Sequence, residues 1–132
     1  MASLGARGED AAARHLRLRG WRIVARGWRC PTGEIDIAAF RGGVLALCEV
    51  KTRHAEAALV DPIPTAQRPR LLRTAEAFHA RHAAPEVTCV RLDLILVRPG
   101  RLGWMRVRRV EAIDLAPPAP AWPRHPPSRC ER

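Results

Sequence analysis

The sequence predicts an α/β domain in which a mixed β-sheet is flanked by helices, with the elements in the order α-β-β-β-α-β-β. Three observations support this fold class. Two segments, one near the start of the chain and one in its middle, carry apolar residues at helical spacing. A Gly42-Gly43 pair separates two apolar, β-branched runs, which is typical of a β-hairpin. An apolar run over residues 87–97 follows the second helical segment, and a helical crossover predicts that it joins the same sheet in parallel.

The first helix is predicted to begin after a Ser3 cap, to run to about Arg19 and to stop at Gly20. Its inward stripe consists of Ala12, Ala13 and Leu16. Glu9 lies on or beside this stripe, where a carboxylate is costly unless it is paired or bound to a metal. The alternative is an ordinary first-turn glutamate that the helix dipole favours.

Residues 21–29 predict the first strand of a meander, and a turn at residues 30–33 leads into the hairpin. If Arg41 lies opposite Val44, the residue numbers of every facing pair in the hairpin add up to 85. Asp36 then falls opposite Glu49. Because side chains alternate along a strand, one face of the hairpin then carries Glu34, Asp36, Glu49 and Lys51. The other face carries Ile35, Ile37, Cys48 and Val50.

The polar face of the hairpin has the composition of a metal-assisted hydrolytic site. Opposed Cβ atoms lie about 4.5–5.5 Å apart, so two facing carboxylates repel each other unless a positive group lies between them. Mg²⁺ is held by one or two carboxylates together with water and substrate phosphate, and Asp36 and Glu49 are the predicted ligands. Lys51, the only lysine among 23 basic residues, would orient the attacking water or neutralise the transition state.

The second helix is predicted from a Thr65 cap over residues 66–82, with a core stripe of Leu71, Leu72, Ala75 and Phe78. Its outer surface would carry the arginines at positions 68, 70, 73 and 81, which could contact phosphates. In the strand that follows, Asp93 either supports the site or has a structural role, pairing with Arg91 or capping a turn. The last strand, residues 102–110, reads as an edge strand with a basic rim formed by Arg106, Arg108 and Arg109.

Composition and charge limit the classes of protein and partner. We expect one domain over residues 1–115 and a Pro-rich, basic, disordered tail over residues 116–132. The net charge of +10 favours nucleic acid as the partner, although a GC-rich genome would also raise the arginine content. No segment resembles a signal peptide or an apolar run of about 20 residues, so we expect a cytoplasmic protein without a membrane partner.

At these residues the chain also resembles a known family. Asp36 followed by Glu49-Val50-Lys51 resembles the PD-(D/E)XK nucleases, which share a restriction-endonuclease-like fold. The ordered set Gly8-Glu9, Trp28-Arg29, Gly33-Glu34-Ile35-Asp36, Glu49-Val50-Lys51-Thr52-Arg53 and Arg91-Leu92-Asp93 resembles the YraN family of small bacterial endonuclease-like proteins, related to Holliday-junction resolvases. The sequence departs from that family at Gly27, where asparagine is usual, near Gln67, where a lysine is usual, and after residue 53, where a Phe-Gly pair is missing.

The resemblance implies a nuclease that hydrolyses DNA with Mg²⁺ or Mn²⁺, including branched or repair intermediates. In that function Asp36, Glu49 and Lys51 are catalytic, with support from Glu34 and Glu9. Substrate would be held by Gln67, Arg53, Arg68 and Arg70, and cutting both strands of a junction would call for a homodimer. Two alternatives stay open: a nucleic-acid-binding protein of the same fold without turnover, and a scaffold whose hairpin charges form ordinary ion pairs, each worth about 0–1 kcal/mol.

Overall fold

The computed structural model describes residues 2–54, 67–82 and 85–110. Its helices and strands, in chain order, are α1 (Leu4–Leu18), β1 (Arg22–Cys30), β2 (Gly33–Arg41), β3 (Val44–Thr52), α2 (Arg68–His82), β4 (Cys89–Pro99) and β5 (Met105–Val110). The sheet order is β1-β2-β3-β4-β5, with β3 and β4 parallel and the other neighbours antiparallel. The predicted fold class and element order are therefore confirmed.

Helix α1 covers one face of the sheet. The Ser3 hydroxyl accepts a hydrogen bond from the Ala6 N–H at 3.1 Å, and Gly20, just beyond the helix, has a φ of +85°. The predicted inward stripe is completely buried and packs with Trp21, Ile37 and Val97. This cluster is called the α1 core below.

The glycine turn of the hairpin has the predicted geometry. Gly42 and Gly43 have φ values of +55° and +83°, the two positive angles of a type I′ turn. The predicted register holds from Arg41 opposite Val44 to Ile37 opposite Cys48.

Helix α2 covers the opposite face, where Ala75 and Phe78 pack on Leu45 and Leu47 to form the α2 core. Leu71 and Leu72 are only half-buried, whereas Thr74 is fully buried in their place. The Thr74 hydroxyl donates to the Arg70 carbonyl at 2.9 Å, so this helix buries a hydroxyl by bonding it within its own turn. The predicted cap at Thr65 lies outside the described residues.

The last two strands differ from prediction in two respects. Strand β5 begins at Met105, because residues 101–103 form a 3₁₀ turn in which Leu102 has a φ of +58°. Arg109 does not lie on the exposed rim, because its side chain turns inward and contacts the buried Asp93 at 3.3 Å. Asp93 also pairs with Arg91, at 2.8 and 3.0 Å, which confirms the structural alternative for this carboxylate.

Two further expectations concern the C-terminal part of the chain and the membrane. The predicted boundary near residue 115 and the tail over residues 116–132 lie outside the described residues. Neither helix of the described part is long and apolar enough to cross a membrane.

Candidate active site at the open end of the hairpin

Side-chain alternation breaks at Asp36, and this break creates the site. Ile35 packs in the α2 core and Ile37 in the α1 core, although they are two residues apart. The predicted grouping of Ile35 with Ile37, Cys48 and Val50 on one face is therefore wrong. At the same level of the neighbouring strand, Gly27, with a φ of +60°, lies between the residues paired with Ile35 and Ile37.

The Asp36 carboxylate acts as a hydrogen-bond acceptor where the backbone pairing between β2 and β3 has ended. Backbone pairing between β2 and β3 ends at Ile37 and Cys48, and beyond it the Val50 N–H donates to Asp36 Oδ2 at 2.8 Å. The side chain therefore links the two strands where the main chains no longer pair. This bond fixes the Asp36 carboxylate against the end of β3.

Asp36 and Glu49 are brought together as predicted, because the Asp36 carboxylate is held by the N–H of Val50, the residue next to Glu49. Burial, followed by the nearby Asp36 charge, raises the pKa of Glu49 to about 7. Burial also raises the pKa of Asp36, against the lowering effect of the Val50 N–H. Two neighbouring, partly desolvated carboxyls favour the binding of a proton or a cation.

Lys51 supplies a positive group beside this pair. Its Nζ lies 3.3 Å from Glu49 Oε1, and the two side chains are 19% and 22% exposed. The ammonium lowers the pKa of both carboxyls, but less than their burial raises it. Lys51 thus pairs with Glu49, and Glu34, which the register placed opposite Lys51, lies across from Arg29 on β1 at 3.7 Å.

Glu9 reaches the site because α1 approaches the end of β3 closely. A Cβ at Gly8 would overlap the hydroxyl of Thr52, so only glycine permits this approach. Burial raises the pKa of Glu9, and the charges of Asp36 and then Glu34 raise it further. The helix therefore brings a third carboxylate within electrostatic reach of the pair. Sequence reasoning missed the role of Thr52, which only the packing reveals.

The donor set fits a hard divalent cation. Asp36 and Glu49 present carboxylate oxygens side by side, and Mg²⁺ needs only one or two carboxylates when water and phosphate complete its shell. Across residues 2–54, 67–82 and 85–110, no three His, Cys, Asp or Glu side chains converge on one point. Glu9 and Glu34 thus act on the pair through their charge.

The predicted substrate-binding residues lie at the same end of the sheet or on α2. Arg53 follows β3, where its N–H donates to the Val97 carbonyl at 3.0 Å and its guanidinium is exposed. Gln67 and Arg70 are exposed at the start of α2, and the Arg70 side chain lies 3.8 Å from the position of a Cβ at Gly33. The Arg68 side chain is outside the described residues.

The sheet register adds a basic residue that sequence reasoning did not connect with the site. Lys51 pairs with Leu96, and Leu96 pairs with Arg108, so the three lie in one row across β3, β4 and β5. Adjacent strands are about 4.8 Å apart, which places the Arg108 backbone about 10 Å from that of Lys51. Arg106 and Arg108 are exposed, as predicted for the rim.

Comparison with known proteins identifies relatives over most of the chain. The model of the uncharacterised protein family UPF0102 matches residues 8–97, which include Gly8, Asp36, Glu49 and Lys51. A UPF0102 protein of Streptomyces griseus is 43% identical over 106 residues, covering 76% of this chain and 87% of the relative. A UPF0102 protein of Roseiflexus castenholzii is 42% identical over 99 residues, covering 74% of this chain and 80% of the relative. The chain therefore belongs to the UPF0102 family, the family that the YraN resemblance indicated.

Proposed function

We propose that this protein is a metal-dependent nuclease of the PD-(D/E)XK type that hydrolyses phosphodiester bonds in DNA. The observation that carries the proposal is the placing of two partly desolvated carboxyls beside a lysine: the Val50 N–H holds Asp36 at 2.8 Å next to Glu49, and Lys51 lies 3.3 Å from Glu49. Such a pair is costly in a desolvated setting, and it suits a site where a cation and a phosphate complete the charge balance.

Asp36 and Glu49 would hold Mg²⁺ or Mn²⁺. When bound, the ion would polarise the phosphate and lower the pKa of a water molecule. The Val50 N–H keeps the Asp36 carboxylate in place, and Glu49 must release its proton before both oxygens become ligands. Lys51 would hold the attacking water or a phosphate oxygen, and the charges of Glu9 and Glu34 would attract the cation.

The basic surface provides the means to hold a polyanion. The row formed by Lys51 and Arg108 continues toward the exposed Arg106, and Arg53, Arg70 and Gln67 lie around the same end of the fold. These side chains would contact phosphates without reading sequence. We propose further that it acts on DNA in the cytoplasm, with branched or repair intermediates as substrates and a homodimer where two strands are cut.

The test is cleavage of labelled linear, nicked, flapped and four-way-junction DNA in Mg²⁺ or Mn²⁺. Wild type should cut at least one of these, whereas Asp36→Ala and Lys51→Ala should bind DNA but lose at least about 100-fold in cleavage rate. Asp10→Ala is the matched control, because Asp10 is an exposed α1 carboxylate paired with Arg26 at 2.8 Å. Cleavage that survives in both site variants would refute the proposal.

A second candidate is a nucleic-acid-binding protein without turnover. It is favoured by the internal contacts of the carboxyl pair, because Asp36 Oδ2 already accepts the Val50 N–H and Glu49 Oε1 already contacts Lys51. Salt-sensitive DNA binding by wild type, with no cleavage of any of these DNAs in either metal, would establish this alternative.

A further inference from the structure

The turn between β4 and β5 presents two large apolar side chains to solvent. Leu102 is 95% exposed and Trp104 is 75% exposed. Exposing a tryptophan beside a leucine forfeits the favourable burial of both, so an exposed pair of this kind indicates a contact surface. The other exposed large apolar residues of the described chain, Leu18, Val24 and Val110, lie at three separate places.

The turn is held in this conformation by its own backbone. The Gly100 N–H donates to the Trp104 carbonyl at 2.6 Å, and the Trp104 N–H donates to the Arg101 carbonyl at 3.1 Å. In the segment closed by these two hydrogen bonds, Leu102 adopts a φ of +58°. This backbone conformation costs a residue other than glycine about 1 kcal/mol or more. Glycine would adopt this φ without that cost. The turn therefore carries the leucine side chain at the expense of local strain.

The surroundings of the turn suit a polyanion. Between residues 94 and 110 the sequence has five arginines and no acidic residue. Arg101 is exposed within the turn, and Arg106 and Arg108 are exposed on β5, which follows it. An aromatic side chain set among arginines is the arrangement by which proteins stack on unpaired bases while holding the backbone.

The turn also lies at the same end of the sheet as the candidate active site. Strands β3 and β4 are parallel, so Lys51, paired with Leu96, lies three residues before the end of β4 at Pro99. Three extended residues span about 10 Å along the strands, and the two strand spacings from β3 to β5 add about 10 Å across the sheet, together a distance of a few nucleotides. A strand bound at Lys51 could therefore place a neighbouring base at Trp104.

We propose that the β4–β5 turn, residues 99–105, is a base-stacking element through which the protein selects nucleic acid with unpaired bases. Trp104 is the stacking side chain, and Leu102 packs against the edge of the same base. Unpaired bases fit this element better than a closed duplex, because stacking on a protein ring inside a duplex first requires a paired base to be unstacked. The inference deepens the proposed function and rests on its nucleic-acid partner.

The experiment compares binding of the full chain to two DNAs in EDTA, so that cleavage does not intervene. One is a blunt duplex and the other is the same duplex with a short single-stranded gap that contains 2-aminopurine. Wild type should prefer the gapped DNA and should quench the 2-aminopurine fluorescence. Trp104→Ala should bind the gapped DNA about tenfold more weakly, which is the affinity lost when one base no longer stacks on an aromatic ring. Its binding to the duplex should be unchanged.

Three further variants separate stacking from other effects. Trp104→Phe should recover most of the affinity for the gapped DNA, because the phenyl ring still stacks. Leu102→Gly should weaken gapped binding while relieving the strained φ, so a loss there cannot be attributed to an unfolded turn. Leu18→Ala is the matched control, because Leu18 is 78% exposed and lies at the C-terminal end of α1. This variant should bind both DNAs as wild type does.

The inference is refuted if Trp104→Ala and Leu102→Gly bind gapped DNA like wild type, or if they lose duplex and gapped binding equally. It fails separately from the nuclease proposal. DNA cleavage by wild type with no effect of Trp104→Ala on binding rejects the stacking element alone. Trp104-dependent binding of gapped DNA without cleavage rejects the nuclease alone. A wild-type protein that binds neither DNA in EDTA, and that cuts none of the labelled DNAs in Mg²⁺ or Mn²⁺, rejects both.

Discussion

Gly8 in α1 and Thr52 at the end of β3 are packed so closely that a Cβ on residue 8 would overlap the threonine hydroxyl. This contact sets the distance between the helix and the strand that carries Glu49 and Lys51. It is also the reason that Glu9, the next residue, lies within electrostatic reach of Asp36.

Replacing Gly8 with alanine should destabilise the protein by about 1–3 kcal/mol, because the added methyl group forces α1 away from β3. Chemical denaturation measures the change in the free energy of unfolding. Gly5→Ala is the matched control on the same helix, since a Cβ there meets only the Ser3 hydroxyl at 4.0 Å. That variant should gain about 0.5–1 kcal/mol from helix propensity. Equal effects at the two positions would contradict the close-packing interpretation.

The free energy of unfolding should fall as the pH rises through neutrality in metal-free buffer. Burial raises the pKa of Glu49 to about 7, so the folded protein binds a proton more tightly than the unfolded chain does. The stabilisation is complete below the ordinary pKa of 4.5 and is lost as the pH rises through about 7. We expect a decrease of about 1–3 kcal/mol, measured by denaturation between about pH 5 and pH 8.

Glu49→Gln should remove most of this decrease, because glutamine does not titrate. Asp10→Asn, at an exposed carboxylate, should keep it. An unchanged pH profile in Glu49→Gln would show that the carboxyl pair does not carry the effect.

Mg²⁺ or Mn²⁺ should raise the melting temperature of wild type, because a ligand that binds only the folded state stabilises it. The rise should be larger at about pH 8 than at about pH 6, since the proton held by the carboxyl pair competes with the cation. Asp36→Asn and Glu49→Gln should each lose the effect, measured by thermal denaturation. A shift of wild-type size in the Asp36→Asn, Glu49→Gln double variant would place the cation elsewhere.

Asp93→Asn should cost about 3–5 kcal/mol in the free energy of unfolding, because it leaves two arginines without the buried carboxylate between them. Asp93 is fully buried and contacts Arg91 at 2.8 Å and Arg109 at 3.3 Å. Asp10→Asn breaks an exposed ion pair for comparison and should cost less than about 1 kcal/mol. Similar losses for the two variants would mean that the Asp93 cluster is not a stabilising contact.

The parts of the site that the sequence predicts are those that a local rule determines. Two glycines with positive φ angles set the type I′ turn, and the turn sets the register as far as Ile37 and Cys48. The apolar spacing of α1 likewise identifies its buried stripe. These relationships depend on neighbours in the chain, so counting positions is sufficient to find them.

The parts that escaped prediction depend on residues distant in sequence. Alternation along β2 breaks at Asp36, where α1 and α2 bury Ile37 and Ile35 on opposite faces of the sheet. Arg109 looked like a rim residue because its inward partner, Asp93, lies 16 positions earlier on another strand. A period-two pattern contains neither relationship.

The parallel pairing of β3 with β4 has a consequence for the chain as it leaves the ribosome. Both proposed metal ligands, Lys51 and Glu9 lie within the first 54 residues, whereas β4 begins only at Cys89. The β1-β2-β3 meander can therefore form first. Each residue of β3 then waits for its partner on β4 until another 45 residues have been synthesised, which is the separation of Val44 from Cys89. Until then the backbone N–H and C=O groups along that edge of β3 have no partner strand. During that interval the unpaired edge is open to pairing with another nascent chain.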